Sequence, residues 1–145
     1  MRKRGSRDQA LGRSRGGLST KVHMAADATG QPVRFILTGG QAGDAPQAAA
    51  LLTGLRATHV IADKGYDTEG VLSLIRSQGA VPVIPPTSRR RVQRHYDREL
   101  YKERNLIERA FNRLKQWRRI ATRYDRRSLH FLSGLYLAAA VTWSA

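Results

Sequence analysis

The alternation of strand and helix in this chain is clearest in residues 59–86, which read HVIADKGYDTEGVLSLIRSQGAVPVIPP. The two ends of this stretch are short apolar runs typical of buried strands, and two prolines close the second run. Between the runs, apolar residues recur at helical spacing at Val71, Leu72 and Ile75, and Gly79 follows as a stop signal. The stretch therefore predicts a strand, a helix and a second strand in succession.

Upstream of this stretch, two alternating runs predict a β-hairpin. Residues 18–26 alternate weakly and residues 33–38 alternate more clearly, with turn residues at 28–31 between them. Asp44 and Pro46 then open a predicted helix, with Asp44 as a candidate N-cap.

Two further helices are predicted downstream, over about 97–117 and 128–143. The order of hairpin, helix, strand, helix, strand and two helices indicates an α/β layered domain with a mixed sheet. Residues 1–17 are rich in Arg, Gly and Ser without any period, which predicts a flexible basic arm. No linker divides residues 18–145, which we interpret as one domain.

The charge of the chain limits its partners. Its 145 residues carry a net charge of +15, which favours nucleic acid or an anionic membrane as the partner. The chain has no Cys, so disulfides and thiolate metal sites are excluded, as is usual in a reducing cytoplasm. The apolar segment 129–145 is too short and too polar to span a bilayer, and no secretory signal is present. We therefore predict a cytoplasmic protein that binds nucleic acid and no membrane.

A stripe of polar residues marks the first of the two downstream helices. Separations of four and seven residues return to nearly the same helix face, which aligns Tyr101, Arg104, Glu108 and Lys115. A separate stripe of apolar residues on the same helix lies beside these four residues. The Glu108 carboxylate is therefore placed to reach the rim of a core and to meet an anionic substrate. The ordinary alternative is a surface glutamate paired one turn away with Arg104 or Asn112.

Asp63 is the second candidate, because it ends the strand predicted from residue 59. Functional sites of α/β sheets collect outside the carboxyl ends of strands. The alternative is an aspartate that caps the following turn.

Taken together, these motifs resemble a known family. The spacing of the four-residue stripe is similar to the signature around the last carboxylate of DDE transposases of bacterial insertion sequences. VIADKGYDTEG, residues 60–70, resembles the motif around the second carboxylate of that family. GGLSTKVHMAAD and PVRFILTGGQAGD precede it in the family's order, so the resemblance runs from about Gly16 to the C-terminus.

The resemblance implies a ribonuclease-H-like fold, a mixed sheet flanked by helices. The family's first catalytic aspartate lies on a strand upstream of the GGLSTKVH segment. Asp8 is the acidic residue found there, but its surroundings lack apolar alternation and do not match a strand. We therefore expect the C-terminal part of a transposase catalytic domain that lacks the first strand, as a frameshift product or a decayed remnant.

The resemblance also implies a site for metal-dependent cleavage and transfer of DNA strands. Asp63 and Glu108 would bind Mg²⁺ or Mn²⁺, in a two-metal site if a third carboxylate completed it. Tyr101, Arg104 and Lys115 would support them. With two carboxylates we expect weak or absent catalysis by this chain alone.

Arginine-rich clusters supply the expected DNA contacts, since the planar guanidinium suits phosphate. The candidates are Arg89, Arg90, Arg91, Arg94, Arg118 and Arg119. The expected partners are transposon ends and target DNA, and possible oligomer partners are the upstream transposase portion or a full-length copy. Two alternatives stay open, a non-catalytic DNA-binding module or regulator, and a chain that does not fold.

Overall fold

The structure, a computed structural model, describes residues 9–14, 17–123 and 127–144. The chain divides into two compact units. We call Met1–Ala42 together with Arg109–Ala145 the hairpin unit, and Gly43–Glu108 the parallel unit. The domain boundary expected between residues 17 and 18 stays a prediction.

The described residues form five strands and six α-helices. The strands are β1 Gly12–Ser14, β2 Gly17–Ala26, β3 Pro32–Gly39, β4 His59–Ile61 and β5 Val81–Val83. The helices are α1 Ala48–Leu52, α2 Glu69–Ser77, α3 Arg98–Tyr101, α4 Asn105–Lys115, α5 Arg118–Ala121 and α6 Ser128–Trp143. Single 3-10 turns cover Ala45–Gln47, Lys64–Tyr66 and Lys102–Arg104.

The hairpin unit contains an antiparallel sheet of order β1-β2-β3, which confirms the predicted hairpin. Met24 of β2 faces Phe35 of β3 in the register, and both are buried. The Phe35 ring meets the edge of Tyr136 of α6 at 5.1 Å between centroids, and the Tyr136 hydroxyl accepts a hydrogen bond of 3.1 Å from Phe35 N. The last helix therefore packs against the hairpin, as contacts between aromatic rings favour.

The parallel unit is organised around α2. Its N-cap Thr68 accepts a hydrogen bond of 3.2 Å from Val71 N, and Gly79 ends the helix region with a left-handed φ of +77°. Strands β4 and β5 on either side of α2 pair in parallel, with His59 opposite Val81. Val71, Leu72 and Ile75 are buried with Ala48, Ala80 and Ile84 in one apolar core. The predicted strand–helix–strand order is confirmed.

Several expectations for local structure were wrong. Asp44 makes no side-chain cap bond, and the predicted helix there is reduced to a 3-10 turn and the five-residue α1. The helix expected over 97–117 is interrupted by the 3-10 turn Lys102–Arg104. Because a 3-10 turn has fewer residues per turn than an α-helix, it changes the angle around the helix axis between side chains before and after it. Part of the expected basic arm forms β1, while residues 1–8 lie outside the described residues.

Helix α6 is apolar on more than its buried face. Phe131 and Leu135 are buried, yet Leu129, Leu137 and Val141 expose 65%, 67% and 51% of their surface. Within the described residues, no helix is both long and apolar enough to cross a membrane.

The core of the parallel unit can be tested at Ile75, which has no exposed surface. We expect Ile75→Ala to lower the free energy of unfolding by about 2–5 kcal/mol, because the truncation removes apolar contacts and leaves a cavity. Urea denaturation followed by circular dichroism measures this change. Ser73→Ala, an exposed change on the same helix, is the control, and an equal loss in both variants would contradict the packing described.

Candidate active site

The strand β4 ends at Ile61, two residues earlier than predicted, and Asp63 follows after Ala62 as the N-cap of the turn Lys64–Tyr66. Its backbone is extended, and its Oδ1 accepts a hydrogen bond of 2.9 Å from Gly65 N. The capping role considered from the sequence is therefore present. The same bond fixes the direction of the carboxylate at the carboxyl end of a parallel strand, where functional residues of α/β folds collect.

A second carboxylate, Asp44, approaches the same point. A Cβ atom added to Gly65 would lie 2.9 Å from Asp63 Oδ1 and 3.4 Å from Asp44 Oδ2, so the two carboxylates converge beside this glycine. Burial, followed by the negative charges of Asp44 and Asp63, raises the pKa of the Tyr66 hydroxyl to about 12. Sequence reasoning missed this role of Asp44, whose signal was the acidic end of the glycine-rich run GGQAGD.

Glu108 lies in the first turn of α4 and pairs with Arg104. Arg104 Nη2 donates to Glu108 Oε1 at 2.7 Å, four residues apart, which confirms the ordinary alternative for this glutamate. The Arg104 guanidinium also lies 5.8 Å from the centre of the Tyr101 ring. Because the pair is partly exposed, its contribution to stability is small.

Both candidate carboxylates affect the pKa of Tyr101. Burial raises the pKa of its hydroxyl, Arg104 opposes this effect, and the charges of Asp63 and Glu108 raise it further together with Tyr96. Both carboxylates are therefore close enough to act on one phenol. The parallel unit brings these four candidates together, whereas Lys115 is an exposed residue at the end of α4 in the hairpin unit.

The donor atoms here suit a hard divalent cation. Mg²⁺ takes oxygen ligands and is usually held by one or two carboxylates, with waters and substrate phosphates completing its shell. Asp63 and Glu108 offer such oxygens within electrostatic reach of Tyr101. Among the described residues, no three His, Cys, Asp or Glu side chains form a group that could hold a metal ion. The chemistry of the donors fits the cation, and waters and substrate phosphates would have to complete its shell.

The segment between β5 and α3, residues 84–97, is the basic loop. Its arginines fall into two classes. Arg89 and Arg91 are exposed, and within the described residues neither guanidinium has a partner. Arg90 and Arg94 instead donate to the Asp67 carboxylate at 2.8 and 3.0 Å.

Asp67 is charged although its side chain has no exposed surface. Burial favours the neutral acid, but hydrogen bonds from Thr87 N, Arg90 and Arg94 outweigh this effect and hold the pKa of Asp67 below its ordinary value. Nothing in the local sequence indicates this pairing, because Arg90 and Arg94 lie 23 and 27 residues away.

The remaining DNA-binding candidates, Arg118 and Arg119, are exposed residues of α5 in the hairpin unit. Arg113 of the same unit lies 4.2 Å from the centre of the Trp143 ring and donates to Thr142 O at 2.9 Å. Among its described residues, the hairpin unit therefore also contains arginines with and without a side-chain partner.

Comparison with known proteins gives a consistent result. Residues 2–143 match the family described as Transposase DDE domain. The chain is 41% identical over 128 residues to a putative transposase for insertion sequence element IS6501 of Brucella ovis, covering 87% of this chain and 98% of that protein. It is 33% identical over 121 residues to a putative transposase for insertion sequence element IS402 of Burkholderia cepacia, covering 75% of this chain and 55% of that protein. No solved structure matches.

The charge on Asp67 gives the parallel unit a specific pH dependence. Since its folded pKa lies below the ordinary 3.8, its contribution to stability is fully present above pH 3.8 and is lost as pH falls through the folded value. We expect Asp67→Asn to lower the free energy of unfolding at pH 7 by about 3 kcal/mol, because it removes the buried negative charge that both Arg90 and Arg94 contact.

Urea denaturation at a series of pH values tests this expectation. The difference between the original chain and Asp67→Asn should stay constant from pH 7 to about pH 5 and shrink below the ordinary carboxyl pKa. Glu69→Gln is the control, because this exposed partner of Arg90 contributes little. A difference that does not change down to pH 2 would contradict a charged Asp67.

Proposed function

Because this chain is a member of the family of transposase DDE domains, we propose that it takes part in metal-dependent cleavage and transfer of DNA strands at the ends of an insertion sequence. Asp63 and Glu108 are the proposed metal ligands. The observation that supports this assignment is the position of both carboxylates within electrostatic reach of Tyr101.

The proposed cation would be Mg²⁺ or Mn²⁺. When bound, it supplies charge stabilisation to the phosphoryl oxygens and activates the attacking water or hydroxyl. The protein's part is to orient its ligands. The Gly65 N–H fixes Asp63, and Arg104 holds Glu108 through one hydrogen bond at the edge of the site.

Arg104 and Tyr101 are proposed as supporting residues. Arg104 lies between a carboxylate and an aromatic ring, and its planar donors match phosphate oxygens. Tyr101 is a neutral hydroxyl at physiological pH, since even an ordinary phenol has a pKa near 10 and that of Tyr101 is raised, so it can donate a hydrogen bond to a DNA phosphate. Lys115 is proposed as a further phosphate contact from the hairpin unit.

We also propose that this chain by itself is a weak catalyst. Two carboxylates hold metal less firmly than three, and no group of three ligands forms among the described residues. A two-metal site would need a third carboxylate from a partner, such as the upstream transposase portion or a full-length copy. The chain matches about half of the Burkholderia cepacia protein and nearly all of the Brucella ovis protein, so related transposases differ in length.

The finer fold proposed is ribonuclease-H-like without its first strand. The observed order of hairpin, parallel strand–helix–strand and C-terminal helices supports it. Within the described residues, β1 pairs with β2 only over residues 17–19, and β4 pairs with no strand except β5. Each sheet therefore keeps backbone groups to which another strand can add.

A second candidate function is a non-catalytic DNA-binding module or regulator. The net charge of +15 and the exposed Arg89, Arg91, Arg118 and Arg119 favour it as strongly as they favour the enzyme. Both functions require DNA binding, and only the first requires the carboxylates to bind metal.

Metal binding separates the two functions. We expect Mn²⁺ to bind the chain, and we expect Asp63→Asn and Glu108→Gln each to weaken its affinity at least about tenfold, since each removes a charged ligand. Electron paramagnetic resonance of free Mn²⁺ measures the affinity. Nicking of supercoiled plasmid in the same buffer, with and without a full-length relative, measures any cleavage.

The matched control for Glu108→Gln is Glu103→Gln, an exposed glutamate five residues earlier in the same helical segment. It should leave the Mn²⁺ affinity unchanged. If Glu103→Gln and Glu108→Gln weaken binding equally, or if the chain binds no Mn²⁺, the metal-ligand assignment fails and the DNA-binding module becomes the better description.

Salt dependence tests DNA binding itself. If the chain neutralises about six phosphates, the logarithm of its affinity for duplex DNA should fall with the logarithm of salt concentration at a slope near −5. Fluorescence anisotropy with a labelled duplex at several NaCl concentrations measures the slope. A slope near zero would contradict a phosphate-binding role for the arginines.

A further inference from the structure

The buried carboxylate of Asp67 needs compensation, because an isolated charge is strongly disfavoured inside a protein. The side chain has no exposed surface and stands at the end of the turn that follows Asp63. Its Oδ2 accepts hydrogen bonds from Thr87 N at 2.7 Å and from Arg90 Nε at 2.8 Å. Its Oδ1 accepts one from Arg94 Nη1 at 3.0 Å.

The group around Asp67 is balanced in charge. Arg90 Nη1 also donates to Glu69 Oε1 at 2.5 Å, so two carboxylates face two guanidiniums. Arg94 Nη2 completes its bonding at Ile84 O at 2.5 Å. Two of the five positive charges in residues 89–98 are therefore neutralised within the protein, and their planar donors are already in use.

The same bonds determine the path of the basic loop. Thr87 O accepts from Arg90 N at 3.1 Å, and the Gln93 side chain donates to Thr87 O and to Arg90 O at 3.0 and 2.9 Å. Together with the bonds to Asp67, these hydrogen bonds fix the backbone of the basic loop from Thr87 to Arg94. Arg89 and Arg91, on either side of Arg90, are left on the exposed surface.

We propose that Asp67 is a positioning residue that withdraws Arg90 and Arg94 from DNA and presents Arg89 and Arg91 to it. A phosphate contact by Arg90 or Arg94 would leave a buried carboxylate short of its partners, which is strongly unfavourable. Among the described residues, the side chains of Arg89 and Arg91 have no protein partner that a phosphate would displace. This inference rests on the proposed DNA-binding function and assigns the contacts within one loop.

Two double variants of equal charge test the assignment by fluorescence anisotropy across a series of NaCl concentrations. Arg89→Gln with Arg91→Gln should reduce the magnitude of the salt slope by about 1.8, the value for two phosphate contacts, and leave the thermal transition unchanged. Arg90→Gln with Arg94→Gln should lower the thermal transition and leave the slope within error of the original chain. Equal losses of slope in both double variants would overturn the proposal.

A measurement on the unaltered chain covers the case in which the second double variant does not fold. In ¹⁵N-resolved spectra, the Arg90 Nε–H signal should be protected from solvent exchange and should not move when duplex DNA is added. The Arg89 and Arg91 signals should move. A shift of Arg90 as large as that of Arg89 would overturn the proposal.

The outcomes also distinguish this inference from the function it rests on. If the unaltered chain binds duplex DNA and both double variants reduce the salt slope equally, only the assignment of different roles to the two pairs of arginines fails. An unaltered chain that does not bind duplex DNA at low salt overturns both the proposed function and this inference.

Discussion

The negative charge buried at Asp67 constrains the parallel unit on both sides of α2. The chain leaves β4, turns through Lys64–Tyr66, and must then surround a carboxylate that has no access to water. Its donors come from beyond β5, from Thr87, Arg90 and Arg94. One electrostatic requirement thus links the segment that follows Asp63 to the basic loop, whose surface is proposed to meet DNA.

The structural contacts of Asp63 and Glu108 are compatible with the metal-binding role proposed for them. Asp63 caps its turn through the Gly65 N–H, and Glu108 pairs with Arg104 one helical turn away. These contacts orient each carboxylate without burying it completely, as ligands prepared for a cation require. A local structural role is therefore poor evidence against a role in the site.

Much of the fold was predictable because it depends on local periodicity. The hairpin and the strand–helix–strand of the parallel unit follow from apolar spacing, and α6 follows from a continuous apolar run. Short elements such as β1 and α5 were missed, because three or four residues carry no period. The family motifs made Asp63 and Glu108 candidates, and their role stays a prediction. The convergence of Asp44 with Asp63 and the pairing of Arg90 and Arg94 with Asp67 depend on tertiary contacts that no local pattern contains.

Helix α6 has a consequence for the colloidal behaviour of the chain. Leu129, Leu137 and Val141 are exposed on a helix without Lys, Arg, Asp or Glu, while the whole chain carries a net charge of +15. Repulsion between like-charged copies keeps such surfaces apart at low ionic strength, because the screening length is then long. Concentrated salt, which strips nucleic acid from a basic protein, shortens that length to about 3 Å at 1 M. High salt is therefore the condition in which the exposed leucines of this chain promote self-association.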